Sequence, residues 1–252
     1  MPTEARAPLV TPWDLKVARR TAALALLVFA LAVLVTGASD EGGVAWATRA
    51  ARTLPALPIA GAAAAYLTLA PLRRRGDVRA LAALGQPPWR IVRPAVVACA
   101  ALHVVVAALV LGWPRVEVAA FFPRPPTSEL VVAHGDRFVH ERRGVTIYSD
   151  GSIDQDPKVK VEAPVDAGVP RGGRASIALL LLLAGVTMPL ASAVARRAEL
   201  GRLALAAVLA TGGSIFALHL AAAGTVHPVA CVAPWTPLLA AAALRYRSLR
   251  WT

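Results

Sequence analysis

The chain has 252 residues, of which 57% are hydrophobic and 17% charged, with a formal net charge of +12. That composition lies outside the range of soluble globular domains, and the apolar residues are gathered in six long uncharged stretches, so a helical membrane protein is expected. Only two cysteines are present, which excludes a disulfide-framed secreted scaffold.

The first stretch covers 21–38 and follows Lys16, Arg19 and Arg20. Thr36-Gly37-Ala38 resembles a small-residue cleavage site, but the run is long for a signal peptide and the basic flank suits a retained helix anchored on the cytoplasmic side. The second stretch is 53–72, the third 94–114, the fourth 175–195, the fifth 203–224 and the sixth 226–244. Each matches the roughly 20 residues that cross about 30 Å of hydrocarbon. Internal Gly and Pro (Pro58, Gly61, Gly185, Pro189, Gly212, Gly213, Pro234, Pro237) suit close helix approach in a bundle.

Charge gives the orientation. With the N-terminus inside, the inner segments are 1–20, 73–93, 196–202 and 245–252, and their only acids are Glu4, Asp14, Asp77 and Glu199; their balance equals the whole net charge of +12. The outer segments, 39–52, 115–174 and Thr225, sum to zero. This is the positive-inside pattern, with both termini cytoplasmic. The high positive charge therefore reports topology and anionic-lipid contact, and nucleic acid is not expected as a partner.

The inner loop 73–93 is the most patterned connector. Val78, Leu81, Ala82 and Leu84 recur at helical spacing, Asp77 sits in the first turn where a carboxylate suits the helix dipole, Gly85 is a C-terminal stop, and Pro87 and Pro88 prevent continuation. A short amphipathic helix between two spans can dock on a soluble partner, and the same composition also fits a helix resting on the membrane surface. The outer segment 115–174 carries four expected strands, 129–133, 138–141, 145–148 and 159–162. Turns are expected at His134-Gly135-Asp136, Arg142-Arg143-Gly144 and Asp150-Gly151-Ser152. The domains expected are thus an N-terminal transmembrane half (1–114, short helix about 75–85), a small extracytoplasmic β domain (115–174) and a C-terminal transmembrane half (175–252).

Several chemistries are disfavoured. No G-x-x-x-x-G-K-[ST] phosphate loop occurs, and the only lysines are Lys16, Lys158 and Lys160, none in a Gly-rich turn, so ATP hydrolysis would need a separate subunit. No Asp or Glu falls inside a stretch, which removes the usual proton- or ion-coupling carboxylate. Cys99 and Cys231 read as small buried hydrophobes. His103 and His219 lie within spans and His227 at the outer end of the last, without metal-ligand spacing. An intramembrane serine hydrolase would use Ser214 with His219 or His227, but Ile215 stands where a second glycine is expected; close packing at Gly212 and Gly213 is the plainer reading. No catalytic residue, metal or cofactor is expected.

The loop residues Arg74, Arg75, Gly76, Asp77, Arg79, Ala80, Leu81, Ala83, Gly85, Arg90, Ile91 and Pro94 resemble the coupling-helix pattern R-x-x-G/S-E-x-x-A-L-x-A-x-G-x-S-x-x-R-I-x-x-P of the LptF/LptG permeases of the lipopolysaccharide-export ABC transporter. Pro234-Trp235-Thr236-Pro237 is similar to the same family's A-W-x-P segment, and the resemblance extends over all six stretches. It implies three helices on each side of a periplasmic β domain in the bacterial inner membrane. It also implies an ATP-binding cassette dimer, a second six-helix permease (a copy or a paralogue), membrane lipid and periplasmic β-domain proteins as partners. The ATPase contact it implies comprises Arg75, Asp77, Val78, Arg79, Leu81, Leu84, Gly85 and Arg90. Asp77 stands where the family has Glu, and 115–174 is much shorter than the family's jelly roll. A scaffold of the same fold that transports nothing and recruits envelope proteins is the alternative.

Overall fold

The computed structural model describes residues 11–38, 52–113, 116–122, 131–134, 137–140, 145–155 and 169–247. Among them, six helices are long and apolar enough to cross a membrane, which defines a helical multi-pass membrane protein. Helix α1 is Pro12–Ala38, α2 is Ala56–Arg74 and the short α3 is Asp77–Ala83. Helix α4 is Pro88–Gly112, α5 is Gly173–Val194 and α6 is Leu200–Ala222. The sixth span begins as a 3-10 segment, Pro228–Trp235, and continues as α7, Thr236–Arg247.

Helices α5 and α6 start within about one turn of where hydropathy places them, but α1 and α4 start well before. Helix α1 begins at Pro12 rather than near 21, because Thr11 and Asp14 form a capping box. The Asp14 Oδ2 accepts from the Thr11 amide and hydroxyl at 2.8 Å each, and the Asp14 amide donates to the Thr11 hydroxyl at 3.3 Å. Pro12 takes the first helical position, where a missing N–H costs nothing. Helix α4 begins at Pro88 rather than 94 for the same reason: Pro87 is extended and Pro88 opens the helix. The two prolines that stop α3 therefore also start α4, and Pro94 lies inside α4, buried.

The spans pack antiparallel. At one end Trp13 and Val17 of α1, Leu69 and Leu72 of α2, Val78 of α3, Ile91 of α4, Ala193 of α5 and Tyr246 of α7 share one apolar cluster. The first and last spans thus end together, as an even number of crossings requires. At the other end Val110, Val118, Phe122, Ile177, Ala221 and Cys231 form a second cluster. Helix α5 is central, with 67% of its most apolar window buried, whereas only 11% is buried for α1. Leu26, Leu27, Leu31 and Leu34 of α1 and Leu205, Val208, Leu209 and Phe216 of α6 stay exposed. That exposure is the expected state of a face turned to lipid.

Guanidinium groups close two helix C-termini. Arg73 donates to the carbonyls of Ala193 and Ala195 at the end of α5. Arg174 donates to those of Val110 and Trp113 at the end of α4, at 3.0 and 3.3 Å, and to that of Val116 in the segment beyond, at 3.1 Å. Cations suit the carbonyl end of a helix, where the last backbone acceptors have no partner within it.

Between α4 and α5 the chain forms a four-stranded antiparallel meander, β1 Val131–His134, β2 Arg137–His140, β3 Val145–Tyr148 and β4 Ile153–Gln155. Strand β3 matches expectation, while β1 and β2 start two residues later and one residue earlier than expected. The expected strand at 159–162 lies outside the described residues, and the fourth strand is instead β4, which pairs Ile153 with Ile147 across a tight turn. That turn is the expected Asp150-Gly151-Ser152, where Gly151 has φ +80, a conformation glycine adopts without strain. Of the other two expected turns, residues 135–136 of the first and the whole of the second, 142–144, lie outside the described residues.

Candidate functional site

Positive charge gathers at the end that holds α3. Lys16, Arg19 and Arg20 of α1, Arg73 to Arg75, Arg79, Arg90 and Arg93, and Arg196, Arg197, Arg202, Arg245 and Arg247 lie on the α3-end portions of their elements. Arg245 pairs with Glu199, and the Glu199 carboxylate also accepts from the Arg196 amide at 2.8 Å.

Helix α3 sits within this basic end, held by a left-handed glycine on each side: Gly76 (φ +82) and Gly85 (φ +77). Neither would meet any atom within 4 Å if given a Cβ, so both are needed for backbone reversal and not for space. Val78 is buried and Leu81 packs against the same cluster of α1, α2, α4 and α5 side chains. The apolar stripe is therefore largely consumed by the bundle itself, which fixes α3 in place. Leu84, expected on that stripe, is 78% exposed, because the helix ends at Ala83 and the chain turns outward at Gly85.

The remaining residues of the expected contact divide into two groups. Arg75, Arg79, Leu84 and Gly85 are exposed, with Asp77 half-buried at the first helical position. These form the face that a partner could touch. Arg90 lies apart, half-buried on α4 in a cleft shared with Asp14, Leu15, Ala18, Arg93, Pro94 and Val97. The sequence spacing joined Arg90 to α3, whereas the packing joins it to α1.

The intramembrane polar residues serve helix contacts. Ser214 is buried, lies within 3.0 Å of the Ala210 carbonyl and 2.6 Å of the Cys231 carbonyl, and accepts from the Trp235 indole N–H at 3.1 Å. Its hydroxyl thus joins α6 to the 3-10 segment. His219 and His227 are both exposed, and the His227 imidazole accepts from the Val229 amide at 3.3 Å as the cap of the 3-10 segment. Of the two glycines expected to pack closely, only Gly213 does: a Cβ there would lie 2.9 Å from the Pro234 ring, whereas Gly212 meets nothing within 4 Å.

Among the described residues His103 is the most enclosed histidine, 1% exposed. Its Nδ1 donates to the Cys99 carbonyl at 2.7 Å, and its ring lies flat on Gly185, where a Cβ would fall 2.1 Å from two ring carbons. Among the described residues, its Nε2 has no hydrogen-bond partner, and neither do Thr68 Oγ1 and Thr187 Oγ1. Among the described residues no group of three or more His, Cys, Asp or Glu could hold a metal ion.

Comparison with known proteins adds no assignment: no family model, no curated protein and no solved structure matches this chain.

Proposed function

We propose that this chain is the permease subunit of an LptF/LptG-like ABC exporter, moving lipopolysaccharide or a related amphipathic lipid from the bacterial inner membrane towards the outer membrane. The observation that carries this reading is the seat of α3. Val78 and Leu81 seat it in the apolar cluster that also holds side chains of α1, α2, α4 and α5, and α3 packs against α2 and α4, so force applied to its outer face through Arg75, Asp77, Arg79 and Leu84 would pass to those two spans and through the cluster to the bundle. A rigid short helix joined to several spans is what a cytoplasmic motor needs in order to drive a membrane bundle.

By the positive-inside rule the α3 end faces the cytoplasm, with both termini there, and the sheet lies on the periplasmic side. An ATP-binding cassette dimer would hydrolyse ATP, and a second six-helix permease would complete the path. The test is copurification of the full chain with its ATPase under mild extraction. The complex is expected to be lost on Asp77→Lys and weakened by Arg79→Glu, while helical content is unchanged; extraction that yields the chain free of any ATPase would overturn the reading. The smallness of the sheet, with strands of three or four residues, favours as second reading a scaffold that recruits envelope proteins, and the ATPase-free outcome selects it.

A further inference from the structure

Beyond the transport reading, we propose that the cleft between α6 and α7 at the α3 end holds an acidic phospholipid, with its phosphate on Arg202 and an acyl chain in an alanine-lined groove. The cleft has a volume of about 240 Å³. Along α6 and the residue before it, the lining side chains are Glu199, Arg202, Leu203 and Ala206; along α7 they are Leu238, Ala241, Ala242 and Arg245. Both sets are spaced at i, i+3, i+4 and i+7, so each helix offers one stripe to the cleft. The two stripes change character in step. Charged groups stand at the α3 end, Glu199 and Arg202 on one wall and Arg245 on the other, and apolar side chains follow for about 10 Å into the span at 1.5 Å per residue. Val194 and Ala195, buried at the end of α5, close the floor.

The charges at the mouth do not cancel. Arg245 pairs with one oxygen of Glu199, and the Arg196 amide donates to the other at 2.8 Å, so the carboxylate of the cleft has both oxygens engaged. Arg202, exposed on the first turn of α6, has no hydrogen-bond or ion-pair partner among the described residues and carries a positive charge beyond that pair. A phosphodiester is its complement. The oxygens match a guanidinium fork, and the single negative charge of an acidic headgroup balances the mouth, which a zwitterionic headgroup does not. Behind the mouth, Ala206, Ala241 and Ala242 leave room between the helices, and Leu203 and Leu238 supply apolar walls. Further along α6, Leu205, Val208 and Leu209 are exposed, so the groove opens onto a face already turned to lipid. A free anion would use the mouth alone, whereas a phospholipid covers mouth and groove together. A basic pocket between spans beside their boundary is the physical form of a lipid-headgroup site.

The test uses the purified full chain in mild detergent, with native mass spectrometry to count phosphatidylglycerol or phosphatidylcholine of the same acyl chains retained per chain. One phosphatidylglycerol is expected to be held in preference to phosphatidylcholine. At about a fivefold loss per basic contact, Arg202→Gln should weaken its retention about fivefold. Arg19→Gln removes the same charge from an exposed position on α1 at that end and should leave retention unchanged. Ala241→Leu fills the groove without altering a charge and should lower retention as well. Equal retention of the two lipids, an equal loss with Arg19→Gln, or full retention in Ala241→Leu would overturn the proposal. Displacement of the lipid by inorganic phosphate at matched concentration would also overturn it, identifying a free-anion site. Arg202 and Ala241 are both exposed, so neither variant requires the core to repack. The assay contains no ATPase and no lipopolysaccharide, so its outcome is independent of the permease reading.

Discussion

Replacing Gly185 by alanine would place a methyl carbon 2.1 Å from both Cγ and Cδ2 of His103, where relaxed carbon contacts lie at about 3.5 Å or more. The ring has little room to yield. It is 1% exposed, its Nδ1 is tied to the Cys99 carbonyl, and its Cε1 borders the space above Gly61. Overpacking of this kind costs about 1–3 kcal/mol, and a shortfall of about 1.4 Å belongs at the upper end. For a chain of this size about 3 kcal/mol corresponds to a fall in Tm of roughly 6–12 °C, read by circular dichroism during thermal unfolding in mild detergent. A double-mutant cycle isolates the cause. His103→Ala alone should cost about 3 kcal/mol through the cavity it leaves, but Gly185→Ala combined with His103→Ala should be about 2 kcal/mol more stable than the sum of the two, because the missing ring vacates the space the methyl needs. An unchanged Tm for Gly185→Ala, or strict additivity, would refute the account.

The adjacent pair Gly212 and Gly213 should respond oppositely: Gly212→Ala is expected to raise stability by up to about 1 kcal/mol through helix propensity, while Gly213→Ala meets the Pro234 ring and should lower it by about 1–3 kcal/mol, both measured by the same thermal assay. Ser214→Ala leaves the buried Trp235 indole N–H without its acceptor and should cost about 1–3 kcal/mol, with a shift in tryptophan fluorescence that Ser214→Thr partly restores. In the sheet, the Ser152 hydroxyl and amide donate to Asp150 at 2.6 and 2.9 Å and hold its carboxyl below the usual range. The turn's contribution is thus present above the ordinary carboxylate pKa of about 4 and is lost as pH falls through the depressed value. A carboxyl NMR titration should show the Asp150 pKa rising in Ser152→Ala, and an unmoved midpoint would contradict the assignment. Cys99 and Cys231, both 0% exposed, should react with maleimide only after unfolding.

The sequence by itself determines the number of spans, because a bilayer demands about twenty apolar residues per crossing and tolerates no unpaired backbone, whatever the helices pack against. It also marks where α3 stops, since Gly85 and the two prolines act locally. The early starts of α1 and α4 were written there too, in Thr11-Pro12-x-Asp14 and in Pro87-Pro88, but hydropathy does not register caps. What it could not reveal is which helix is central. Helices α1 and α5 have nearly equal mean hydropathy, yet one faces outward along most of its length and the other is enclosed. Lipid tails and protein interiors are alike in polarity, so hydropathy cannot tell them apart; shape complementarity decides, as where Gly185 admits the His103 ring and Gly213 the Pro234 ring. The same holds for the basic end. Arg90 reads as the tail of the α3 pattern in one dimension, and only the packing of α4 against α1 carries it into a cleft with Asp14, because contacts between residues far apart along the chain depend on how the helices cross.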